Sequence, residues 1–447
     1  MDYRESCRRI LELSAHKNPV DTLREFYEWL GRPGSGGEII HVAGTNGKGS
    51  VCAFLDSVLS GAGYRVGVFT SPHLVTLRER FRLCGKRIDE GTFARLYARL
   101  QEKLRRFDGT SRRNGAGPLQ LTFFETLLFL FLLWMEEEKP DFVVLEAGIG
   151  GKNDATAIVE KPAVAVITGI GLDHCSYLGN TLEEIAVQKA GIMKPGTPAV
   201  CWDTSPEVTR VFAKRARELS STFVSVSKNE VAFSKIRQNN VDFFLESAYY
   251  NDIEACLASP ALYQAENAAL AVRALEQIVF RPPLTKAQVE AGLSAMRIRA
   301  RMEEILPGVF VDGANNPDGI RAFLQSVAAR EAKGKRMLLF SASADKDTRK
   351  MAELIRDSGL FDREAVTAID SVRSMDMQEL QGILEILESG KEKGHPPFAH
   401  SFQALDWLRK LAKGTEAEIY IVGSLYLAGE IVRLAEEKRE VNGGYHD

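Results

Sequence analysis

Apolar positions along this chain fall into two alternating patterns: short continuous runs that end in small or polar residues, and longer stretches with helical periodicity between them. Glu38-Ile39-Ile40 leads into His41 to Ser50, and Val51 to Leu59 follows with an amphipathic pattern, so this stretch predicts a strand–loop–helix junction. Tyr64 to Thr70 predicts a strand ending in Ser71-Pro72-His73, and Gly91 to Arg106 a helix followed by a polar, mobile loop from Asp108 to Gly117. Leu121 to Glu137 predicts a helix with an almost wholly apolar body. Strands are expected at Phe142 to Leu145, ending at Glu146, at Ala163 to Thr168, ending near Asp173-His174, and at Pro198 to Trp202. Thr181 to Lys189 predicts a helix with Thr181 as N-cap and Glu184 three residues on. Strands separated by helices imply right-handed crossovers and a mostly parallel sheet.

The pattern changes between about Ser220 and Ser247. Thr222 to Val226, Val231 to Phe233 and Val241 to Leu245 are short β-rich runs without intervening helices, which predicts a small antiparallel appendage. Helices are expected at Gln264 to Phe280 and Lys286 to Met296, and Arg297 to Met302 reads as a linker. A second α/β series then begins, with strands at Val309 to Val311, Met337 to Phe340, Ala365 to Ile369 and Ile419 to Val422. The expected division is residues 1–296 and 297–447.

Composition agrees with two domains: 447 residues are too many for one ordinary core. The net charge of −3 offers no bulk attraction to nucleic acid or an anionic membrane, so neither is expected as a partner. Six cysteines are scattered without metal-ligand or redox spacing, which points to thiols in a reducing cytosol. The first residues are charged with no apolar core behind them, so no signal peptide and a cytoplasmic location are expected. Leu127 to Met135, the most apolar run, is about half the length of a spanning helix.

Ligands collect at the carboxyl ends of strands in a parallel sheet. Those ends carry Lys48 and Ser50, Ser71 and His73, Glu146 with Gly148 to Gly151, and Asp173 with His174. In His41 to Ser50, small residues let backbone N–H groups turn inward around a phosphate at a helix N-terminus, and Lys48 adds a point charge. The stretch departs from the common Walker pattern, because Val42 stands where its first glycine belongs and Gly49 separates Lys48 from Ser50. A phosphate loop, a hydroxyl, a carboxylate and an imidazole on one rim are what triphosphate and magnesium chemistry requires. Each residue also has a plainer reading. Glu146 suits a solvated strand end, His174 a loop, Ser71 a turn before Pro72, and Lys189 the C-terminal end of a helix dipole. Phe123 and Phe124 suit a core, and Asn267 a minor polar contact on an Ala-rich helix.

Taken together, these residues resemble the Mur ligase superfamily, and closely its folylpolyglutamate synthase/dihydrofolate synthase branch. Val42 to Ser50 is similar to that branch's phosphate loop, departures included. Thr70 to Leu74 with Glu79-Arg80, Leu121 to Glu125, Leu145 to Gly151, Asp154 to Thr156, Leu172 to His174 and Gln188 to Ile192 follow in the family's order. So do Asp312 to Gly319, Asp345 to Asp347 and Gly423 to Tyr426. The resemblance implies an N-terminal P-loop ATPase domain, mostly parallel with the small antiparallel appendage, and a C-terminal Rossmann-like α/β domain.

It also implies roles. Asn46, Gly47, Lys48, Gly49 and Ser50 would bind ATP, completed by Asn267, Arg301 and Asp312. Ser71 and Glu146 would hold one magnesium ion and His174 a second. Lys189 would be carbamylated in support of the metal site, and Lys48, Lys189 and Asp312 are the expected catalytic residues. Thr122, Phe123, Phe124, Glu125 and Asp154 would line the folate site. The implied reaction activates a folate carboxylate as an acyl phosphate, which L-glutamate then attacks. Reduced folates are the implied acceptors, with dihydropteroate a second one, and a monomer is expected. The alternative is a Mur-type amino-acid ligase acting on a peptidoglycan precursor. Three positions depart from the family: Asn315 replaces a histidine, Lys152-Asn153 replaces Arg-Leu, and Val20 to Arg24 poorly matches the stretch linked to pterin binding.

Overall fold

The central strand of the largest sheet is the one that leads into the phosphate loop. In the computed structural model, which describes residues 2–13, 16–111, 117–237, 239–331, 334–391 and 394–441, eight strands form this sheet. They are β1 (Glu38–Ala43), β2 (Val66–Phe69), β3 (Phe81–Leu83), β4 (Lys86–Arg87), β5 (Phe142–Glu146), β6 (Val164–Ile167), β7 (Ala199–Trp202) and β8 (Phe223–Val226), in the order β4-β3-β2-β5-β1-β6-β7-β8. From β2 to β8 all neighbours are parallel, and β3 and β4 add an antiparallel edge. Ile39 to Ala43 are all buried, as expected of a parallel strand covered on both faces.

Register decides where the chemistry lies. Val42 pairs with Glu146 and Ala43 with Ile167, so β1, β5 and β6 end level and the loop after β1 begins between Glu146 and Thr168. The helix Lys48–Gly61 returns from this loop. It is not amphipathic: Ser50 to Asp56, Val58 and Leu59 are all buried. Its second face meets the helix Lys286–Ala295, where a Cβ on Gly292 would fall 2.5 Å from the Val58 Cα. Only a glycine permits that approach, and the Gly292 carbonyl accepts the Ser57 hydroxyl at 2.7 Å.

Two N-terminal helices, Tyr3–Leu11 and Val20–Trp29, have no counterpart among the expected elements. With the helices Glu90–Ser111 and Phe123–Glu138 they build an aromatic-rich core that includes Phe26, Phe107 and Phe129. The helix after Gly91 runs on to Ser111, past the start of the expected loop, and residues 112–116 lie outside the described ones.

The β-rich stretch divides differently from expectation. Phe223–Val226 joins the large sheet parallel to β7 and does not belong to the appendage. The separate three-stranded sheet is β9 (Val231–Arg237), β10 (Asn240–Leu245) and β11 (Ile253–Leu257), the last unexpected from sequence.

The chain divides into two compact units. One holds residues Met1–Ala232, Phe244–Ala255 and Glu266–Met296; the other holds Phe233–Phe243, Cys256–Ala265 and Arg297–Asp447. The second unit has its own sheet, β12 (Glu303–Leu306), β13 (Val309–Val311), β14 (Arg336–Phe340), β15 (Arg363–Val366) and β16 (Glu418–Val422), in the order β12-β13-β16-β14-β15. It is parallel except for β12, an antiparallel edge strand absent from the expected set. The third expected strand lies two residues earlier than Ala365, at Arg363–Val366. Two fully buried rings, Phe323 and Phe340, centre this unit's core.

Candidate active site

The loop after β1 takes its shape from two glycines and one threonine. Gly44 and Gly47 have φ of 149° and 90°, a region closed to most side chains. A Cβ on Gly44 would lie 1.8 Å from the Thr168 hydroxyl oxygen, and one on Gly47 would lie 2.3 Å from Asn267 Oδ1. Thr168 donates to the Asn46 carbonyl at 2.6 Å, and the Thr45 N–H donates to the Gly169 carbonyl at 2.9 Å. The first hydrogen bond into the helix comes from Val51 N–H to the Gly47 carbonyl. Lys48, Gly49 and Ser50 therefore present the N–H groups that an α-helix leaves for an anion.

The charged groups converge from neighbouring strand ends. Glu146 is buried at the end of β5, accepts the Ser71 N–H at 2.9 Å on Oε2, and has Lys48 Nζ 4.0 Å from Oε1. Lys48 also donates to the Thr45 carbonyl at 3.2 Å. Lys189 is buried, and its Nζ donates to the Gly44 carbonyl at 2.7 Å. Burial first, and then the neighbouring Lys48 charge, lower the Lys189 pKa to about 7. The capping box that sets its helix is present as expected, with Glu184 N–H donating to the Thr181 hydroxyl. His174 follows β6 in a left-handed conformation, φ 52°, with Nε2 3.9 Å from Asp173 Oδ2 and about a third of the side chain exposed.

The expected folate residues divide into two kinds. Thr122 caps the helix Phe123–Glu138, and the Glu125 carboxylate accepts the Thr122 N–H at 2.9 Å. Glu125 also accepts the Asn18 N–H at 3.0 Å and its side-chain amide at 2.6 Å. Asp154 is equally engaged: it accepts Ile149 N–H at 2.8 Å, Thr156 N–H at 3.0 Å and the Thr156 hydroxyl at 2.6 Å. That hydroxyl meets Nε2 of buried His41 at 2.8 Å, and desolvation holds the imidazole near a pKa of about 3. Thr122, Glu125 and Asp154 are thus held by hydrogen bonds within the fold. The aromatic pair is half-buried. The Phe123 ring has the Arg80 guanidinium over its face at 5.3 Å, and a Cβ on Gly148 would lie 2.8 Å from the Phe124 ring. Arg80 Nε donates to His73 Nδ1 at 2.9 Å; burial, with the Arg80 charge, lowers that imidazole to about 4.

In the second unit the stretch expected to be a linker is tightly held. Ala300 and Met302, on either side of Arg301, are both left-handed, φ 53° and 49°, a conformation that costs a non-glycine residue about 1–3 kcal/mol. Asp312, buried at the end of β13, accepts Met302 N–H at 3.0 Å, Ala314 N–H at 2.8 Å and the Tyr263 hydroxyl. Asn315 is half-buried just before Asn316, which caps the helix Pro317–Ala329 through Gly319 N–H.

Sequence reasoning missed Thr168, Asn18, His41 and Tyr263. Thr168 had one signal, its place at the end of a strand expected beside the loop. The other three are recognisable only through partners far away in sequence.

Magnesium keeps several waters and takes one or two carboxylates plus phosphate oxygens. Among the described residues no three His, Cys, Asp or Glu side chains form a metal cluster. Glu146 supplies one buried carboxylate, and the Ser50 hydroxyl is buried with no hydrogen-bond partner at the mouth of the helix. The residues fit the ion.

A phosphate loop after the central strand of a parallel sheet, ringed by a carboxylate and two lysines, marks a nucleotide-dependent enzyme. Residues 92–275 match the Mur ligase middle domain family. The dihydrofolate synthase/folylpolyglutamate synthase of Bacillus subtilis (strain 168) is 32% identical over 422 residues, covering 93% of this chain and 94% of that protein. Among solved structures, the Mycobacterium tuberculosis folylpolyglutamate synthase complexed with ADP and AMPPCP has a TM-score of 0.85 at 28% identity, covering 97% of this chain and 99% of that one. E. coli FolC in complex with DHPP and ADP has a TM-score of 0.81 at 26% identity, covering 98% and 99%. The chain is an ATP-dependent ligase of the Mur superfamily. It belongs to the folylpolyglutamate synthase/dihydrofolate synthase family. No described helix is long and apolar enough to cross a membrane.

Proposed function

We propose that this chain joins L-glutamate to the carboxyl group of a reduced folate, with ATP cleaved to ADP and phosphate. The observation that carries this reading is the Lys48–Glu146–Lys189 cluster around a glycine-shaped loop, in a chain aligned almost end to end with a dihydrofolate synthase/folylpolyglutamate synthase.

A carboxylate resists attack by an amine, so the folate carboxylate first takes the terminal phosphoryl group of ATP. The N–H groups of Lys48 to Ser50 cradle the phosphates, and Lys48 Nζ follows the outermost one. Arg301 adds charge as the phosphoryl group moves. Glu146, Ser50, Ser71 and His174 are the residues that would hold magnesium, which when bound neutralises charge on the transferring group. Lys189, with a pKa near 7, has an uncharged fraction at neutral pH that can add carbon dioxide to form a carbamate. The carbamate turns a cation that repels the metal into an anion that supports it. The glutamate amine then attacks the acyl phosphate, forming the amide and releasing phosphate. Half-buried Phe123 and Phe124 offer ring faces to the flat pteridine.

Supplying tetrahydrofolate and dihydropteroate separately, each with ATP and glutamate, tests this. Steady-state ADP formation with either acceptor that requires glutamate supports the reading and ranks the two acceptors. No ADP with any folate or pteroate overturns it. A peptidoglycan precursor is the weaker alternative, and stabilisation in a thermal-shift panel by UDP-linked sugars but not by folates would restore it.

A further inference from the structure

The segment presenting Arg301 is held from several sides within the second unit. Gly313 N–H donates to the Ala300 carbonyl at 2.8 Å, and Ala300 N–H donates to Glu303 Oε2 at 2.8 Å. The Ser259 hydroxyl donates to the Arg301 carbonyl at 3.2 Å. Left-handed backbone at both Ala300 and Met302 brackets Arg301, whose Nη1 lies 2.7 Å from where a Cβ on Gly313 would sit. Strain of this kind persists only where the surroundings over-determine it, and it collects at functional positions.

Asp312 is the hub of that support. Its Oδ2 accepts both Met302 N–H and the Tyr263 hydroxyl, while Oδ1 accepts Ala314 N–H. Burial favours the protonated carboxyl, and the Arg301 charge and the Tyr263 hydrogen bond oppose it. A protonated Asp312 would lose its attraction for the guanidinium, and a rotated one would release Met302. Tyr263 packs its ring against the second unit's core, so its hydroxyl is held in place.

We infer that Tyr263 is a positioning residue for phosphoryl transfer, its hydroxyl fixing the Asp312 carboxylate that in turn sets the backbone and guanidinium of Arg301. This rests on the reading above in which Arg301 meets the phosphates. Asp312 then acts through Arg301, because its oxygens already serve two backbone amides and a phenol.

The test is a double-mutant cycle on the single-turnover rate of ADP formation at saturating ATP, folate and glutamate. Tyr263→Phe keeps the ring and removes only the hydroxyl. In the wild-type background it should slow the step about tenfold, the scale of one hydrogen bond to a charged group. In an Arg301→Ala background, or Arg301→Lys where alanine is too slow to time, it should slow the step less than about twofold, because coupled residues are non-additive. A purely structural tyrosine would give the same fold-change in both backgrounds, and that result overturns the inference. So does a wild-type rate for Tyr263→Phe. If Arg301→Ala itself keeps the wild-type rate, the placement of Arg301 at the phosphates fails and the inference falls with it.

Discussion

Lys189 and Gly44, 145 residues apart in sequence, are joined by a 2.7 Å hydrogen bond from a buried ammonium to the first carbonyl of the phosphate loop. The bond places a second cation near Lys48, and burial first and then the Lys48 charge lower the Lys189 pKa to about 7. A lysine in that setting is a poor permanent cation and a good site for carbon dioxide. Lys189→Ala should therefore lower turnover strongly, with partial rescue by added short carboxylates. In ¹³C-bicarbonate the wild-type protein should show a carbamate resonance that the variant lacks. An activity unchanged in Lys189→Ala would remove the carbamate from the mechanism.

The same group has a pH signature. Its folded pKa of about 7 lies below its ordinary value of 10.5, so between these limits the unfolded chain binds more protons than the folded one. Stability contributed through Lys189 must then rise with pH across that window, since the penalty for burying a charge disappears as the amine deprotonates. Urea unfolding at pH 7 and pH 9 should show wild type gaining stability relative to Lys189→Met. Parallel pH dependences in the two proteins would place the Lys189 pKa near its ordinary value.

Lys48→Ala should fold normally and lose nearly all turnover. The ammonium's contacts to the Thr45 carbonyl and Glu146 lie at the loop itself, whereas the phosphates lose their nearest mobile charge. About 3 kcal/mol or more of transition-state stabilisation is the expected loss. Circular dichroism and melting should match wild type while kcat falls more than about a hundredfold. Wild-type kinetics would end the phosphate-loop reading.

Thr168 offers a finer probe of the loop. Thr168→Val keeps the shape and loses the bond to the Asn46 carbonyl, so ATP affinity should fall by about 1 kcal/mol, read by calorimetry. Gly44→Ala should be far worse, because the new methyl meets Thr168 Oγ1 at 1.8 Å and the backbone sits at φ 149°. Equal ATP affinities in wild type and Gly44→Ala would mean that the loop rearranges freely.

Much of this architecture was legible in sequence because it is local. The Thr181–Glu184 capping box lies three residues apart, and β5 ends at Glu146 as its apolar run does. What escaped is decided by partners distant in sequence. Phe223–Val226 looks like an appendage strand until β7 is there to pair with it. The partners that Glu125 and Asp154 meet within the fold, Asn18, Ile149 and Thr156, are likewise hidden from the sequence. Arg297 to Met302 lacks periodicity and so resembles a linker, although Asp312 and Ser259 fasten it through single hydrogen bonds.

Arg301 gives the sharpest separation between binding and chemistry. In its proposed role Arg301 meets the phosphates as the phosphoryl group departs, and only interactions stronger in the transition state raise the rate of the step. Arg301→Ala should thus lower the single-turnover rate about a hundredfold or more, while the ATP dissociation constant changes less than about fivefold. The local fold should survive, because the Ala300 carbonyl and the Met302 N–H keep their partners without the guanidinium. Rapid-quench measurements at saturating ATP, paired with calorimetry using a non-hydrolysable analogue, separate the two quantities. If affinity falls and the saturated rate does not, Arg301 is a ground-state contact, and the phosphoryl step must draw its positive charge from Lys48 and not from Arg301.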